Sequence, residues 1–138
     1  MTRKQIILAR IILGLYLVAI GVLCLANFSS APSVKMSIFG IPTDKVAHFC
    51  MFFPLPFLAF FAFDKYTEKA WSSILFTLLT FAVGVGIAAL TEWAQSLTPY
   101  RSAESGDLLA DTLSLGVASL IVVIIDIAKQ HKNEKTAA

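Results

Sequence analysis

Charged and strongly hydrogen-bonding residues lie beside or just inside segments of this sequence that are otherwise apolar. They are Asp44, Lys45, His48, Glu92, Gln95, Arg101, Asp107 and Asp111, here called the polar set. A charged side chain at the centre of a membrane helix costs about 2.5 to 3.5 kcal/mol on insertion scales, so each charge needs a partner. Carboxylates beside a histidine could act as general acid or base, hold a divalent cation, or form a network of ion pairs. Which chemistry applies depends on the helices that position them.

The composition identifies an integral membrane protein. Of the 138 residues, 57% are hydrophobic and 14% are charged, and the mean hydropathy is +0.77. This leaves too little polar surface for a soluble globular domain. Crossing a bilayer core of roughly 30 Å takes about 20 residues, so the chain has room for about four or five spans. The net charge of +2 is too small to indicate a nucleic-acid partner.

Four apolar runs predict transmembrane helices at about residues 6–28, 46–63, 71–97 and 108–128. We therefore expect an all-α fold, an integral membrane four-helix bundle, with a single domain over residues 1–128. Residues 129–138 are polar and are predicted to form a frayed cytoplasmic tail. The first run follows basic residues, as a signal peptide does, but its apolar stretch is longer than a usual signal core, which favours a retained helix.

The distribution of positive charge predicts the orientation of the bundle. Most Lys and Arg residues precede the first span, join the second span to the third, or follow the fourth. Only Lys35, Lys45 and Arg101 lie in the other two connections. Because Lys and Arg concentrate on the cytoplasmic side, we expect both termini in the cytoplasm and a multi-pass protein of the inner (cytoplasmic) membrane. The whole polar set would then lie at the outer face.

Helical spacing predicts that the third and fourth spans pack face to face. Glu92 and Gln95 lie three residues apart on one face of the third span, and Asp107 and Asp111 lie four apart on one face of the fourth. Each face continues as a row of small residues, which allow close approach of helices. These rows are Gly84 and Ala88 on the third span, and Ala110, Ser114 and Ala118 on the fourth.

The other four members of the polar set are less clearly assigned. Arg101 has a predicted pairing, and Asp44, Lys45 and His48 each have two interpretations. Arg101 lies between the third and fourth spans, where its planar guanidinium could fold over the mouth of the set and pair with one or two carboxylates. Asp44 is either a helix N-cap or a site residue. Lys45 is either an interfacial charge or a site residue. His48 is either a satisfied polar residue or a catalyst or ligand.

Prolines and cysteines give further expectations. Pro54 and Pro56 interrupt the second span and are predicted to kink it, because proline has no backbone N–H to donate. Cys24 and Cys50 both lie near the outer ends of their spans, so a disulfide between them is geometrically possible. Two cysteines are too few for a zinc ribbon. We expect no cofactor and no dedicated metal site, although Glu92, Asp107 and Asp111 with His48 could hold a divalent cation.

The order and spacing of the polar set resemble the VanZ-like family of small bacterial membrane proteins. The shared elements are Asp44-Lys45-x-x-His48 at the start of the second span, Glu92-x-x-Gln95 followed by Pro99 and Arg101, and Asp107 followed by a polar residue four positions later and by Gly116. The resemblance covers the second to fourth spans; the first matches only as an apolar helix. Where the family usually has an asparagine, this chain has Asp111.

The resemblance and the residues together allow three functions. The family is named for a protein associated with resistance to the glycopeptide antibiotic teicoplanin, so one function is an outward-facing polar pocket that binds an envelope component or the antibiotic. A second is a membrane enzyme acting on a lipid or cell-wall precursor. A third is a structural or assembly partner whose ion network joins helix ends. The lipid bilayer is a partner in each case, while the oligomeric state stays open.

Overall fold

A computed structural model of the chain describes residues 2–26, 37–38, 40–63, 69–99 and 104–137. Its helices are α1 (Arg3–Leu25), α2 (Thr43–Phe52), α3 (Leu55–Ala62), α4 (Ala70–Ser96) and α5 (Ser105–Ala137). Two short strands, β1 (Ser37–Ile38) and β2 (Ile41–Pro42), pair antiparallel just before α2. Gly40 between them has a φ of 81°, a conformation that glycine adopts without steric cost.

Four helical segments are long and apolar enough to cross a membrane. They are α1, α2 together with α3, α4, and α5 as far as Lys132. Large apolar side chains on α1, α4 and α5 are exposed on the bundle surface, as expected for helix faces that contact lipid. Within the described ranges the sequence-based prediction of an all-α, four-span membrane fold is confirmed.

One end of the bundle is joined by polar contacts among four helix ends. The side chain of Gln95, near the end of α4, donates to the carbonyl oxygen of Cys24, near the end of α1, at 2.9 Å. The ammonium group of Lys45, in the first turn of α2, lies 3.0 Å from a carboxylate oxygen of Asp107, in the first turn of α5. We call this end, where α1 and α4 finish and α2 and α5 begin, the site end.

The opposite end, here called the terminal end, carries both ends of the described chain. Arg10 Nε donates to the carbonyl oxygen of Ala62 at 3.0 Å, which joins α1 to α3. The hydroxyl of Ser73 on α4 donates to the buried carboxylate of Asp126 on α5, and Gln130 Nε2 donates to the same carboxylate at 3.0 Å. These bonds offset the cost of placing the Asp126 charge inside a membrane helix, a charge the sequence analysis had not singled out.

The interface between α4 and α5 depends on the absence of a side chain at Gly84. A Cβ atom at this position would lie 2.8 Å from a methyl carbon of Leu115, which is closer than real Cβ atoms approach. Gly84 and Ala88 are both buried, so the predicted small-residue face of the third span does pack against the fourth. On α5 the neighbouring Ser114 faces α2 instead, where its hydroxyl donates to the carbonyl oxygen of Phe49 at 2.5 Å.

The second span is broken between α2 and α3, as its prolines predict. Pro54 supplies no N–H to the preceding turn, and α3 restarts after it with Leu58 N donating to the Pro54 carbonyl at 3.0 Å. A side chain from α1 satisfies one of the backbone carbonyls at the break: the hydroxyl of Tyr16 donates to the carbonyl oxygen of Met51 at 2.9 Å. Irregular backbone at membrane depth is stable where neighbouring helices provide such bonds.

Replacing Tyr16 by phenylalanine should therefore lower the free energy of unfolding by about 0.5 to 1.5 kcal/mol, the usual net value of one hydrogen bond. The ring stays in place, so the loss comes from the unpaired carbonyl at the break. Unfolding in mixed micelles, followed by circular dichroism, measures it. An unchanged unfolding midpoint would mean that the Met51 carbonyl finds another donor.

Some boundaries and side chains differ from the sequence-based expectation. Helix α5 continues to Ala137, beyond the predicted end of the fourth span near residue 128. The reason is that a helix already nucleated in the membrane propagates readily through the lysine- and glutamine-containing segment that follows. Cys24 and Cys50 do not form a disulfide with each other, since Cys24 is buried in the core and Cys50 is exposed.

Candidate functional site

Two helix N-termini bring acidic side chains to the site end. Asp107 is in the first turn of α5, and Asp44 is in the first turn of α2. Carboxylates are favoured there, because the backbone N–H groups of a first turn carry partial positive charge. The interpretation of Asp44 as an N-cap is wrong: α2 begins at Thr43, and Pro42 occupies the cap position without a side-chain hydrogen bond.

Lys45 joins α2 to the start of α5. Its ammonium group lies 3.0 Å from an oxygen of Glu104 and 3.0 Å from an oxygen of Asp107. A Cβ atom at Gly106 would lie 2.7 Å from this nitrogen, so the small residue leaves room for the lysine. Lys45 is therefore paired with two carboxylates, and its partly exposed side chain lies at the rim of the candidate site.

His48 lies one turn deeper, between two buried carboxylates. Its Nδ1 atom is 3.2 Å from each carboxylate oxygen of Asp111, and its Nε2 atom is 3.9 Å from an oxygen of Asp107. The exposed fractions are 2% for His48, 2% for Asp107 and 0% for Asp111, so the group is nearly sealed from its surroundings. An imidazole with a proton on Nδ1 donates to Asp111 and turns Nε2 towards Asp107.

Glu92 and Gln95 have different roles although they share a face of α4. Glu92 Oε2 accepts a hydrogen bond from the backbone N–H of Glu104 at 3.1 Å. Its other oxygen, Oε1, is buried, and no group in the described part of the chain donates to it. Gln95 binds the carbonyl oxygen of Cys24 and so ties α4 to α1. Glu92 therefore contacts the segment before α5 at the candidate site, whereas Gln95 connects α4 to α1.

The structure therefore links most of the polar set in one chain of contacts. It runs from Glu92 through Glu104, Lys45, Asp107 and His48 to Asp111. The link runs from α4 through the segment before α5 and across to α2. Arg101 lies outside the described residues, so its predicted position over the mouth stays a prediction.

Glu104 was missed by the sequence analysis. It pairs with Lys45 and anchors Glu92 through its backbone N–H. The predicted start of the fourth span at residue 108 placed Glu104 in a loop. A start at Ser105, as observed, would have put it immediately before the helix with Asp107 in the first turn. Glu104 precedes Asp107 by three residues, and this spacing could have indicated that the two side chains lie on the same side of the helix start.

A different set of ligands from the predicted one could hold a metal ion. Asp44, His48 and Asp107 each offer one ligand atom, and these three atoms lie within 4.8 Å of one another. Imidazole nitrogen and carboxylate oxygen suit a divalent cation such as Mn²⁺ or Zn²⁺. The ammonium group of Lys45, 3.0 Å from Asp107, already supplies positive charge to one of these ligands, which weakens the case for a cation.

Comparison with known proteins adds a family relationship. The family model described as VanZ/LLP1 matches residues 11–126 of the chain, and the match includes every helix that contributes to the site. Neither a curated protein nor a solved structure matches the chain.

Proposed function

We propose that this chain, which belongs to the VanZ/LLP1 family, uses its polar set as an outward-facing pocket that lowers susceptibility to glycopeptides such as teicoplanin. In this proposal the pocket binds the polar group of an envelope component or of the antibiotic itself. The ligand would enter past Lys45 at the rim and reach the buried carboxylates of the site end.

The observation that carries the proposal is the buried Oε1 of Glu92, to which no group in the described part of the chain donates. The described site contains more carboxylates than donor side chains. Its carboxylates are Asp44, Glu92, Glu104, Asp107 and Asp111, against the ammonium group of Lys45 and the imidazole of His48. A buried acceptor without a donor costs about 1 to 3 kcal/mol, more when it is charged. A ligand hydroxyl or amine would supply the missing donor, and envelope sugars, amino acids and glycopeptides all carry such groups.

The proposed orientation rests on charge. The terminal end carries Arg3, Lys4, Arg10, Lys69, Lys129, Lys132 and Lys135, whereas Lys45 is the one lysine or arginine at the site end among the described residues. Basic residues concentrate on the cytoplasmic side of membrane proteins, which supports an outward-facing site end in the inner membrane.

Complementation of a deletion strain tests the function. We expect loss of the gene to change teicoplanin susceptibility and the wild-type gene to restore it. Glu92→Gln and Asp107→Asn should fail to restore it at matched membrane levels, because each removes a carboxylate charge from the pocket while keeping side-chain shape. The minimum inhibitory concentration is the readout.

Asp126→Asn is the matched control, since it neutralises a buried carboxylate of α5 at the terminal end. It should restore susceptibility to the wild-type value. If deletion leaves teicoplanin susceptibility unchanged, the resistance role is wrong. If all three variants fail in proportion to their loss of membrane abundance, the polar set acts only as a structural or assembly element.

The arrangement of His48 favours one second candidate, a membrane enzyme acting on a lipid or cell-wall precursor. Asp111 would orient the imidazole through Nδ1, leaving Nε2 to take a proton from a substrate hydroxyl as a general base. Turnover of a lipid-linked precursor by the purified chain, lost in His48→Gln while the protein stays folded, would support this activity. Binding without conversion would leave the pocket proposal standing and remove the enzyme.

A further inference from the structure

A concave region lies away from the polar set, on the side of the bundle between α1 and α4. It is an open cavity of about 680 Å³ with α3 as its floor, lined by side chains such as Leu13, Leu17, Ala59, Leu79 and Val83. None of the polar-set residues that the structure describes lines it. Because its wall is almost wholly apolar and follows the membrane spans, it is here called the apolar groove.

The length of the apolar groove fits a hydrocarbon chain. Its lining on α4 extends from Ser72 to Ile87, which corresponds to roughly 22 Å at about 1.5 Å per residue. The hydrocarbon core of a bilayer is about 30 Å thick, so the groove covers more than the depth of one leaflet. An open, apolar groove at this depth has hydrocarbon as its surroundings, because the bilayer core holds no water.

The positively charged side chain of Arg10 lies at the terminal end of the apolar groove. Phe63, which lines the groove, lies under the guanidinium group of Arg10, whose central carbon is 5.3 Å from the ring centroid. Arg10 Nε is held by the carbonyl oxygen of Ala62 at 3.0 Å. Among the residues that the structure describes, none pairs with the terminal nitrogens of this guanidinium, and the exposed Lys69 is at the same end.

From this combination we propose that the apolar groove binds one anionic phospholipid. One acyl chain lies between α1 and α4, and the phosphate group pairs with Arg10. The ring of Phe63 and the Ala62 carbonyl hold the guanidinium in position, and a planar guanidinium is well suited to bidentate binding of phosphate. Basic residues between helices next to an apolar surface are a recognised arrangement for anionic head groups. This site is separate from the polar set and does not depend on its function.

Native mass spectrometry of the purified full chain in detergent, titrated with phosphatidylglycerol or phosphatidylcholine, tests the proposal. We expect the wild type to retain one phosphatidylglycerol in preference to phosphatidylcholine. Arg10→Gln should weaken phosphatidylglycerol binding by about fivefold, the contribution of one basic residue near an anionic head group. Lys4→Gln is the matched control, an exposed cation on the same helix but outside the groove, and should leave binding unchanged.

A second pair of variants tests the acyl-chain position. Thr80→Phe places a ring in the groove and should weaken binding of both lipids, whereas Ala82→Phe, exposed on the same helix outside the groove, should not. Circular dichroism confirms that each variant is folded. Equal loss in Arg10→Gln and Lys4→Gln, or no loss in Thr80→Phe, would overturn the site. So would a mass that corresponds to two chains, disrupted by Thr80→Phe, since a second copy would then fill the groove.

Discussion

Replacing His48 by alanine should lower the free energy of unfolding by about 3 to 5 kcal/mol, the usual result of removing one partner from a buried charged pair. His48 Nδ1 lies 3.2 Å from both oxygens of Asp111, and Asp111 has no exposed surface. Without the imidazole, that carboxylate stays buried without its donor. The effect should exceed that of any rim substitution, because Lys45 and Glu104 remain partly exposed.

A double variant separates pairing from packing. His48→Leu with Asp111→Leu removes both polar groups and should be more stable than His48→Ala, because buried pairs can often be replaced by apolar residues of similar volume. Unfolding by denaturant in mixed micelles of the wild type, His48→Leu, Asp111→Leu and the double variant gives the four free energies of the cycle. A double variant as unstable as the sum of the two single variants would show that His48 and Asp111 are not energetically coupled.

Replacing Gly84 by leucine should lower the free energy of unfolding by about 1 to 3 kcal/mol or more, as overpacking of a helix interface does. The new Cβ would lie 2.8 Å from a methyl carbon of Leu115. Leu115 has no exposed surface, so it cannot move aside without displacing other side chains. Helices α4 and α5 would separate, and the contact between Glu92 and the start of α5 would weaken with them.

Gly86→Leu is the matched control, because it lies on the same helix and a Cβ there meets nothing within 4 Å. It should leave stability close to that of the wild type. Adding Leu115→Ala to Gly84→Leu should restore part of the loss by making room. Thermal unfolding of the four proteins in one detergent compares them. Equal destabilisation by Gly84→Leu and Gly86→Leu would mean that leucine disturbs α4 itself and not its packing.

The spans were predictable because the membrane imposes a length and a composition on each of them. Apolar runs of sufficient length predicted the four spans, and two prolines predicted the break in the second span. The end of α5 was not predictable in the same way. Beyond Lys132 hydropathy no longer applies, and the helix continues on intrinsic propensity alone.

The site was predictable in outline but not in its pairings. The chain reverses direction with each span, so the second and fourth spans start at the same end of the bundle, and His48 and Asp107 were expected at that end. Helical spacing could not reveal that Lys45 would form ion pairs with Glu104 and Asp107. It also could not reveal that Ser114 would turn towards α2, because adjacent positions on a helix face different neighbours.

The terminal end illustrates a different limit. Asp126 is a buried carboxylate inside the fourth span, yet its partners Ser73 and Gln130 are uncharged and do not stand out in an apolar sequence. A charge in a membrane helix indicates that a partner exists, but not whether the partner serves function or packing. The comparison of Asp107→Asn with Asp126→Asn addresses that question directly.

The accessibility of the site end tests the central claim, that the polar set faces outward, most directly. In a background in which Cys24 and Cys50 are replaced by alanine, Ser37→Cys places a thiol at the exposed start of β1, and Lys69→Cys places one at the terminal end. A membrane-impermeant maleimide should label Ser37→Cys in intact cells and Lys69→Cys only after permeabilisation. Labelling of Lys69→Cys in intact cells, with Ser37→Cys protected until permeabilisation, would contradict the account.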